Sequence, residues 1–349
     1  MTGFDVTGLG VAGFSGAGFS GAAAGVARVR LAALPTPLVP APRLAEVVGA
    51  GALYVKRDDL TGFAFAGNKA RPLEFLLAAA LEEGADTLVT GGAPGSNFCA
   101  AAAAAAARAG LRCELVIAGN PAPGPASGLG PALGPGPALA LARSWGAAVR
   151  WTGVAERDSV DAGLPAAAAE LAAAGRRPYL MPRGGASGLG AVGYALAALE
   201  LREQLAAHGA DSARVVVAAG SGGTLAGLVA GNVLAGRPLT LVGAAVSRPA
   251  DETTRRVLAL ARECLRMLGG SEAGPEDVTV ADARGPGHGL ASPEGTAAAE
   301  QAMRTEGLMV DPVYTAKALA LVGRYAAGGD VVFWHTGGQL DVVALGAGR

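Results

Sequence analysis

Val215-Val-Val-Ala-Ala-Gly-Ser-Gly-Gly-Thr224 is a run of apolar, β-branched residues that stops at a glycine-rich turn, with Leu225-Ala-Gly-Leu-Val-Ala230 continuing behind it. The pattern reads as a buried strand, a tight turn and the start of a helix. Glycines at such a turn let successive backbone N–H groups converge. The helix N-terminus adds positive potential, and the Ser221 and Thr224 hydroxyls are further donors. Gly220, Ser221, Gly222, Gly223 and Thr224 are therefore the candidate cradle for a phosphate. A plain βα turn is the alternative. The stretch is not a P-loop, because it holds no lysine, and its third fingerprint position for a dinucleotide is Leu225 instead of glycine.

Outward from this unit, strands and helices alternate. Strands are expected at 53–56, 87–90, 113–118, 149–151, 179–181, 215–218, 239–244 and 331–334. Helices are expected from Lys69 to about 83, through the alanine run at 100–107, at 138–144, through the 160s, and at 191–207, 224–234, 252–268, 294–306 and 315–326. Nearly continuous apolar strands between helices imply parallel sheets covered on both faces. A chain of 349 residues exceeds the usual single domain. Two lobes are expected: a large one from 26–60 with 185–349, and a small one from 61–184. Residues 1–25 repeat Gly-Phe-Ser-Gly-Ala and read as a flexible Gly/Ala-rich tail. Six glycines and six prolines within 119–137 preclude regular structure there.

Composition narrows the function. Net charge is −1 and only 16% of residues are charged, so no basic field for nucleic acid exists. No strongly apolar stretch of about 18 residues suggests a membrane span. Cys99, Cys113 and Cys264 lack metal spacing and fit a reducing cytoplasm, and His208, His288 and His335 share no helix face, so no metal is expected.

Asn68-Lys69 puts an amine at a helix entrance, behind Gly67. The helix dipole disfavours a cation there, which lowers the amine's pKa and favours a neutral nucleophile. A solvated surface lysine is the plain alternative. A lysine able to form a Schiff base and a phosphate cradle together suggest pyridoxal 5′-phosphate. Ser96-Asn97 closes another strand-to-helix loop, as a helix N-cap or as a ligand turn. Tyr314, His288 and Thr336, each beside a turn, are either packing residues or polar groups aimed at a ligand.

Six ordered segments carry a resemblance over roughly residues 30–340: Tyr54-Val-Lys-Arg-Asp-Asp-Leu-Thr61, Gly67-Asn-Lys-Ala-Arg71, Ser96-Asn97, Gly220-Ser-Gly-Gly-Thr-Leu-Ala-Gly227, Asp311-Pro-Val-Tyr-Thr315 and His335-Thr-Gly-Gly338. The chain resembles the two-lobed, tryptophan synthase β-like fold-type II enzymes dependent on pyridoxal 5′-phosphate. Within them it is similar to the branch of D-cysteine desulfhydrase and 1-aminocyclopropane-1-carboxylate deaminase. The resemblance implies an α/β fold, each lobe a mostly parallel sheet flanked by helices. It implies Lys69 as covalent anchor and base, Asn97 beside the cofactor's phenolic oxygen, Ser96 facing substrate, residues 220–224 on the phosphate, Tyr314 in the active site and Thr336 beside the pyridine nitrogen. His288 stands where a tyrosine is expected and is a candidate catalytic group. Phe98 replaces a donor residue and is expected in the substrate pocket. Ala66 and Gln339-Leu-Asp341 are further departures. Thr315 stands where the cyclopropane deaminases carry glutamate, which turns the reading toward the desulfhydrase side.

The implied activity is lyase or deaminase chemistry on a small amino acid with a β-leaving group, giving a keto acid and ammonia. Opening of a cyclopropane amino acid, β-replacement, or a non-enzymatic cofactor- or amino-acid-binding role are the alternatives. A cytoplasmic homodimer is expected.

Overall fold

A computed structural model describes residues 25–121, 136–287, 289–326, 329–340 and 342. Apart from Gly25, the expected tail at 1–25 lies outside the described residues, as do 122–135 of the Gly/Pro-rich loop, Asp341 and the candidate His288.

In chain order the elements are β1 (Leu38–Pro40), α1 (Pro42–Val48), β2 (Ala52–Arg57), α2 (Ala70–Glu82), β3 (Thr87–Gly92), α3 (Asn97–Arg108), β4 (Arg112–Ile117), α4 (Pro137–Ser144), β5 (Ala148–Trp151), α5 (Arg157–Ala173) and β6 (Pro178–Leu180). They continue as α6 (Gly188–Ala207), β7 (Ala213–Ala219), α7 (Gly223–Leu234), β8 (Leu239–Ala245), α8 (Ala250–Leu268), β9 (Thr279–Asp282), α9 (Pro293–Glu306), α10 (Thr315–Leu319), α11 (Val322–Ala326) and β10 (Asp330–His335). The chain divides into two compact units. The larger comprises 33–68 and 186–342; the described part of the smaller is 25–32 and 69–185.

The larger unit holds a six-stranded sheet in the order β1-β2-β10-β7-β8-β9. All of its pairings are parallel except β1 with β2. Val215, Val216 and Val217 in its centre are fully buried, which is why β7 reads as an unbroken apolar run. One core cluster joins β2, β7, β8 and β10 to α1, α9, α10 and α11. Elsewhere in this unit α6 and α7 touch backbone to backbone. A Cβ on Gly227 would stand 2.2 Å from the Ala191 carbonyl oxygen, and one on Gly231 2.3 Å from that of Ala195.

The smaller unit holds a four-stranded, wholly parallel sheet in the order β5-β4-β3-β6. Helix α3 carries the alanine run, and Ala100–Ala106 are all buried. Short side chains keep that helix close to its neighbours at interior packing density.

Two mostly parallel sheets flanked by helices are the architecture expected from the sequence. Three elements escape the sequence reading. β1 has three residues and ends in Pro40, β9 has four and is only partly buried, and α1 spans seven. Such short edge pieces carry too few apolar positions to show a period. The single helix expected over 315–326 is two: Leu321 N–H bonds to the Ala318 carbonyl, a tight i→i−3 turn that separates α10 from α11.

Candidate active site

At the end of β7 the chain turns through Gly220, Ser221 and Gly222, and α7 opens at Gly223. Gly222 has φ +93°, a left-handed conformation that suits glycine. The N–H groups of Ser221, Gly222, Gly223 and Thr224 find no acceptor among the described residues. Four such donors at a helix N-terminus, with the positive end of the helix dipole behind them, can hold a phosphate ester.

The segment before Lys69 is locked to this turn. Asn68 Nδ2 donates to Thr224 Oγ1 at 2.9 Å. The Thr224 oxygen accepts there, so its own hydrogen remains available to a ligand. The Asn68 backbone N–H donates to the Thr336 carbonyl at 2.9 Å. Gly67 explains itself: φ is +53°, and a Cβ would stand 2.5 Å from the Thr336 carbonyl oxygen. The approach is strained, since Ala64 and Phe65 have φ of 47° and 53°.

Tyr314 comes to the same place. A Cβ on Gly220 would lie 3.2 Å from its Cε1, so the ring stands against the start of the turn. The Asp311 carboxylate fixes the segment by accepting from the N–H groups of Val313 (3.0 Å), Tyr314 (2.7 Å) and Thr315 (3.0 Å), and from the Thr315 hydroxyl. Burial pushes the Asp311 carboxyl above its ordinary range, against the pull of these bonds. His335 is buried: its Nδ1 accepts from Gly337 N–H at 3.2 Å, which leaves Nε2–H to donate to the Met309 carbonyl at 2.7 Å. Gln339, the departure after His335-Thr-Gly-Gly338, donates through Nε2 to the Asp59 carbonyl at 2.8 Å. The larger unit thus gathers Asn68, residues 220–224, Tyr314 and Thr336.

The smaller unit carries the other candidates. Ser96 caps α3, its Oγ accepting from Cys99 N–H at 3.3 Å, and Asn97 is the first residue of that helix. The Phe98 ring is buried against Gly185, where a Cβ would meet its Cε2 at 2.6 Å. Lys69 ends the 3₁₀ turn Gly67–Lys69 that leads into α2.

The sequence contains three lysines, Lys56, Lys69 and Lys317. Lys56 Nζ donates to the Thr36 carbonyl (2.7 Å), to Gln204 Oε1 (2.6 Å) and to the Glu200 carboxylate. Lys317 Nζ donates to the carbonyls of Arg284 (2.7 Å) and Gly287 (3.1 Å). Among the described residues Lys69 is the one lysine that makes no hydrogen bond or ion pair, and loss of water around its amine lowers the pKa to about 8. A half-buried, desolvated amine with no partner among the described residues, shedding its proton near neutrality, is suited to nucleophilic or base chemistry.

Residues 29–337 match the family described as pyridoxal-phosphate dependent enzyme. The chain belongs to that family. It is 40% identical over 310 residues to D-cysteine desulfhydrase of Yersinia enterocolitica, covering 87% of this chain and 91% of that one. It is 38% identical over 312 residues to D-cysteine desulfhydrase of Klebsiella pneumoniae, covering 87% and 92%. A crystal structure described as an ACC deaminase homologue superposes with a TM-score of 0.81 at 33% identity, covering 93% of this chain and 97% of that one.

As a pyridoxal-phosphate dependent enzyme, the chain must supply donors for a phosphate and an amine for an aldehyde. The unpaired N–H groups of 221–224 fit the first need, and the Lys69 amine fits the second. Asn68 and Asp311 are missing from the candidates read off the sequence, although both stand inside motifs that the sequence displays. The Asn68 contact spans 156 residues, which no local pattern records, whereas Asp311 serves N–H groups two to four positions on, a local signal that Asp311-Pro-Val-Tyr314 does carry.

Proposed function

We infer that this enzyme is a pyridoxal 5′-phosphate-dependent lyase that removes a β-substituent and the amino group from a small amino acid, with D-cysteine the first substrate to test. The balanced reaction is D-cysteine plus water giving pyruvate, ammonia and hydrogen sulfide. The observation that carries the reading is the Lys69 amine, the one lysine nitrogen with no partner among the described residues, with a pKa of about 8. Identity of about 40% to D-cysteine desulfhydrases over nine-tenths of their length supports the substrate class.

The cofactor, when bound, supplies an electron sink for charge at the substrate α-carbon. The chain supplies the rest. Lys69 would hold the aldehyde, and its amine would be the base for the substrate α-proton. Residues 220–224 hold the phosphate, so the unit of 33–68 and 186–342 is the cofactor-binding one. Asn97 would meet the phenolic oxygen and Ser96 the substrate carboxylate, with Phe98 beside them as an apolar neighbour of the substrate. Thr336 would offer the pyridine nitrogen a neutral hydroxyl and not an ionised carboxylate. Tyr314, steadied by Asp311, and His288 serve proton transfer or leaving-group departure. The working form is a cytoplasmic homodimer, in keeping with the family it resembles.

Ring opening of a cyclopropane amino acid is the second reading, favoured by the likeness to the ACC deaminase homologue. Product analysis separates the two. Pyruvate with sulfide from D-cysteine supports the first, and 2-oxobutyrate from the cyclopropane amino acid supports the second. Absence of ammonia from both substrates in cofactor-loaded protein would reject both.

A further inference from the structure

The phosphate turn is held from its outer side. Ser247 Oγ and Arg248 Nη1 both donate to the Gly220 carbonyl, at 2.8 and 3.0 Å. Arg256 Nε donates to the Ser221 carbonyl at 2.8 Å. Ser247 and Arg248 follow β8 and Arg256 lies on α8, so all three donors come from one neighbouring segment, 27 to 35 residues further along the chain.

Planarity gives these bonds a consequence. In a trans peptide the C=O of one residue and the N–H of the next point in opposite directions. Pinning the Gly220 carbonyl outward therefore aims the Ser221 N–H inward, and pinning the Ser221 carbonyl aims the Gly222 N–H inward. Those two N–H groups are among the donors that find no protein acceptor. Glycines at 220, 222 and 223 leave this turn soft, so a peptide flip there has little steric cost of its own. A flip would present a carbonyl oxygen to the anion. The anchors also bring charge: Arg248 pairs with Glu252 at 2.9 Å, and Arg256 Nε sits directly on the turn.

We propose that Ser247, Arg248 and Arg256 are positioning residues for the cofactor's phosphate, holding the 220–222 peptides with their N–H groups inward and adding positive charge behind them. The proposal rests on assigning the phosphate to residues 220–224. The three act through two backbone carbonyls of the turn. Their effect is confined to the phosphate, so a cofactor lacking it is indifferent to them.

The test compares equilibrium binding of pyridoxal 5′-phosphate and of dephosphorylated pyridoxal to the full-length chain, by fluorescence titration, with thermal melting as the folding control. Arg256→Met is expected to weaken pyridoxal 5′-phosphate about tenfold, the size of a lost charge-assisted hydrogen bond, and to leave pyridoxal within about twofold. Arg256→Lys restores part of the loss. Ser247→Ala gives a smaller change in the same direction and stands in if Arg256→Met does not fold. Equal loss of both ligands, or no loss of either, overturns the proposal. Thr224→Ala with Ser221→Ala separates the underlying reading: if that pair leaves pyridoxal 5′-phosphate affinity unchanged, the phosphate assignment itself is wrong. If the pair weakens binding while the Arg256 and Ser247 variants do not, only the positioning role fails.

Discussion

At the scale of single residues, Lys69 carries the most consequence. Its pKa of about 8 in the folded chain lies below the ordinary 10.5. Between those values the unfolded chain binds more protons than the folded one, so stability rises with pH across that window. Below about pH 8 the folded protein bears the full penalty, roughly 3 kcal/mol for a shift of this size. Lys69→Gln should therefore make the cofactor-free protein more stable at pH 7 by up to about 3 kcal/mol, with the gain fading as pH approaches 10.5. Urea unfolding at pH 7 and pH 10 reads this directly, and a variant less stable than the parent at pH 7 contradicts the desolvation of the amine. Gly67 gives a second residue-scale prediction. Alanine there would place Cβ 2.5 Å from the Thr336 carbonyl oxygen at a left-handed φ. Gly67→Ala is expected to cost about 1–3 kcal/mol and to weaken cofactor binding. A melting temperature equal to the parent's would show that the 67–68 backbone does not rest on the 336 turn. The sequence displays Lys69 and Gly67 together because a motif holds them. It gives no sign of Arg256, which reaches the turn through a bond across 35 residues.

Among elements, legibility follows length and burial. β7 and β8 have seven residues each with buried centres, and their apolar runs announce them. β1 and β9 lie at the two edges of the same sheet, and each carries one buried residue in its pattern. The turn between α10 and α11 leaves no mark either, because Thr315 to Ala326 contains no proline and one glycine. What shapes that region is the Asp311 carboxylate, which satisfies three N–H groups and a hydroxyl just ahead of α10. Asp311→Ala leaves these donors without their acceptor in a buried site, a cost of about 2–4 kcal/mol. Asp311→Asn keeps part of the acceptor set and should fold, with Tyr314 held less firmly. The expected outcome is a fall in kcat for Asp311→Asn, with little change in affinity for the cofactor. An unaltered kcat would remove Asp311 from the positioning of Tyr314.

For the whole molecule, the α/β architecture with two mostly parallel sheets was visible in the alternation of elements, and the family in six ordered motifs. The candidate site was visible in part. Residues 220–224, Tyr314 and Thr336 do come together in the larger unit, joined by Asn68. Ser96 and Phe98 have structural duties that sequence patterns only half suggest, one capping α3 and the other packing on Gly185. The fold also engages its other two lysine amines with carbonyls and a carboxylate, which leaves one lysine amine without a partner among the described residues. That economy makes the central claim testable in a single measurement. Cofactor-loaded protein is treated with borohydride, digested, and mapped by mass spectrometry. The account predicts a phosphopyridoxyl group on Lys69 and none on Lys56 or Lys317. A label on either of those two, or no label on any lysine, contradicts it.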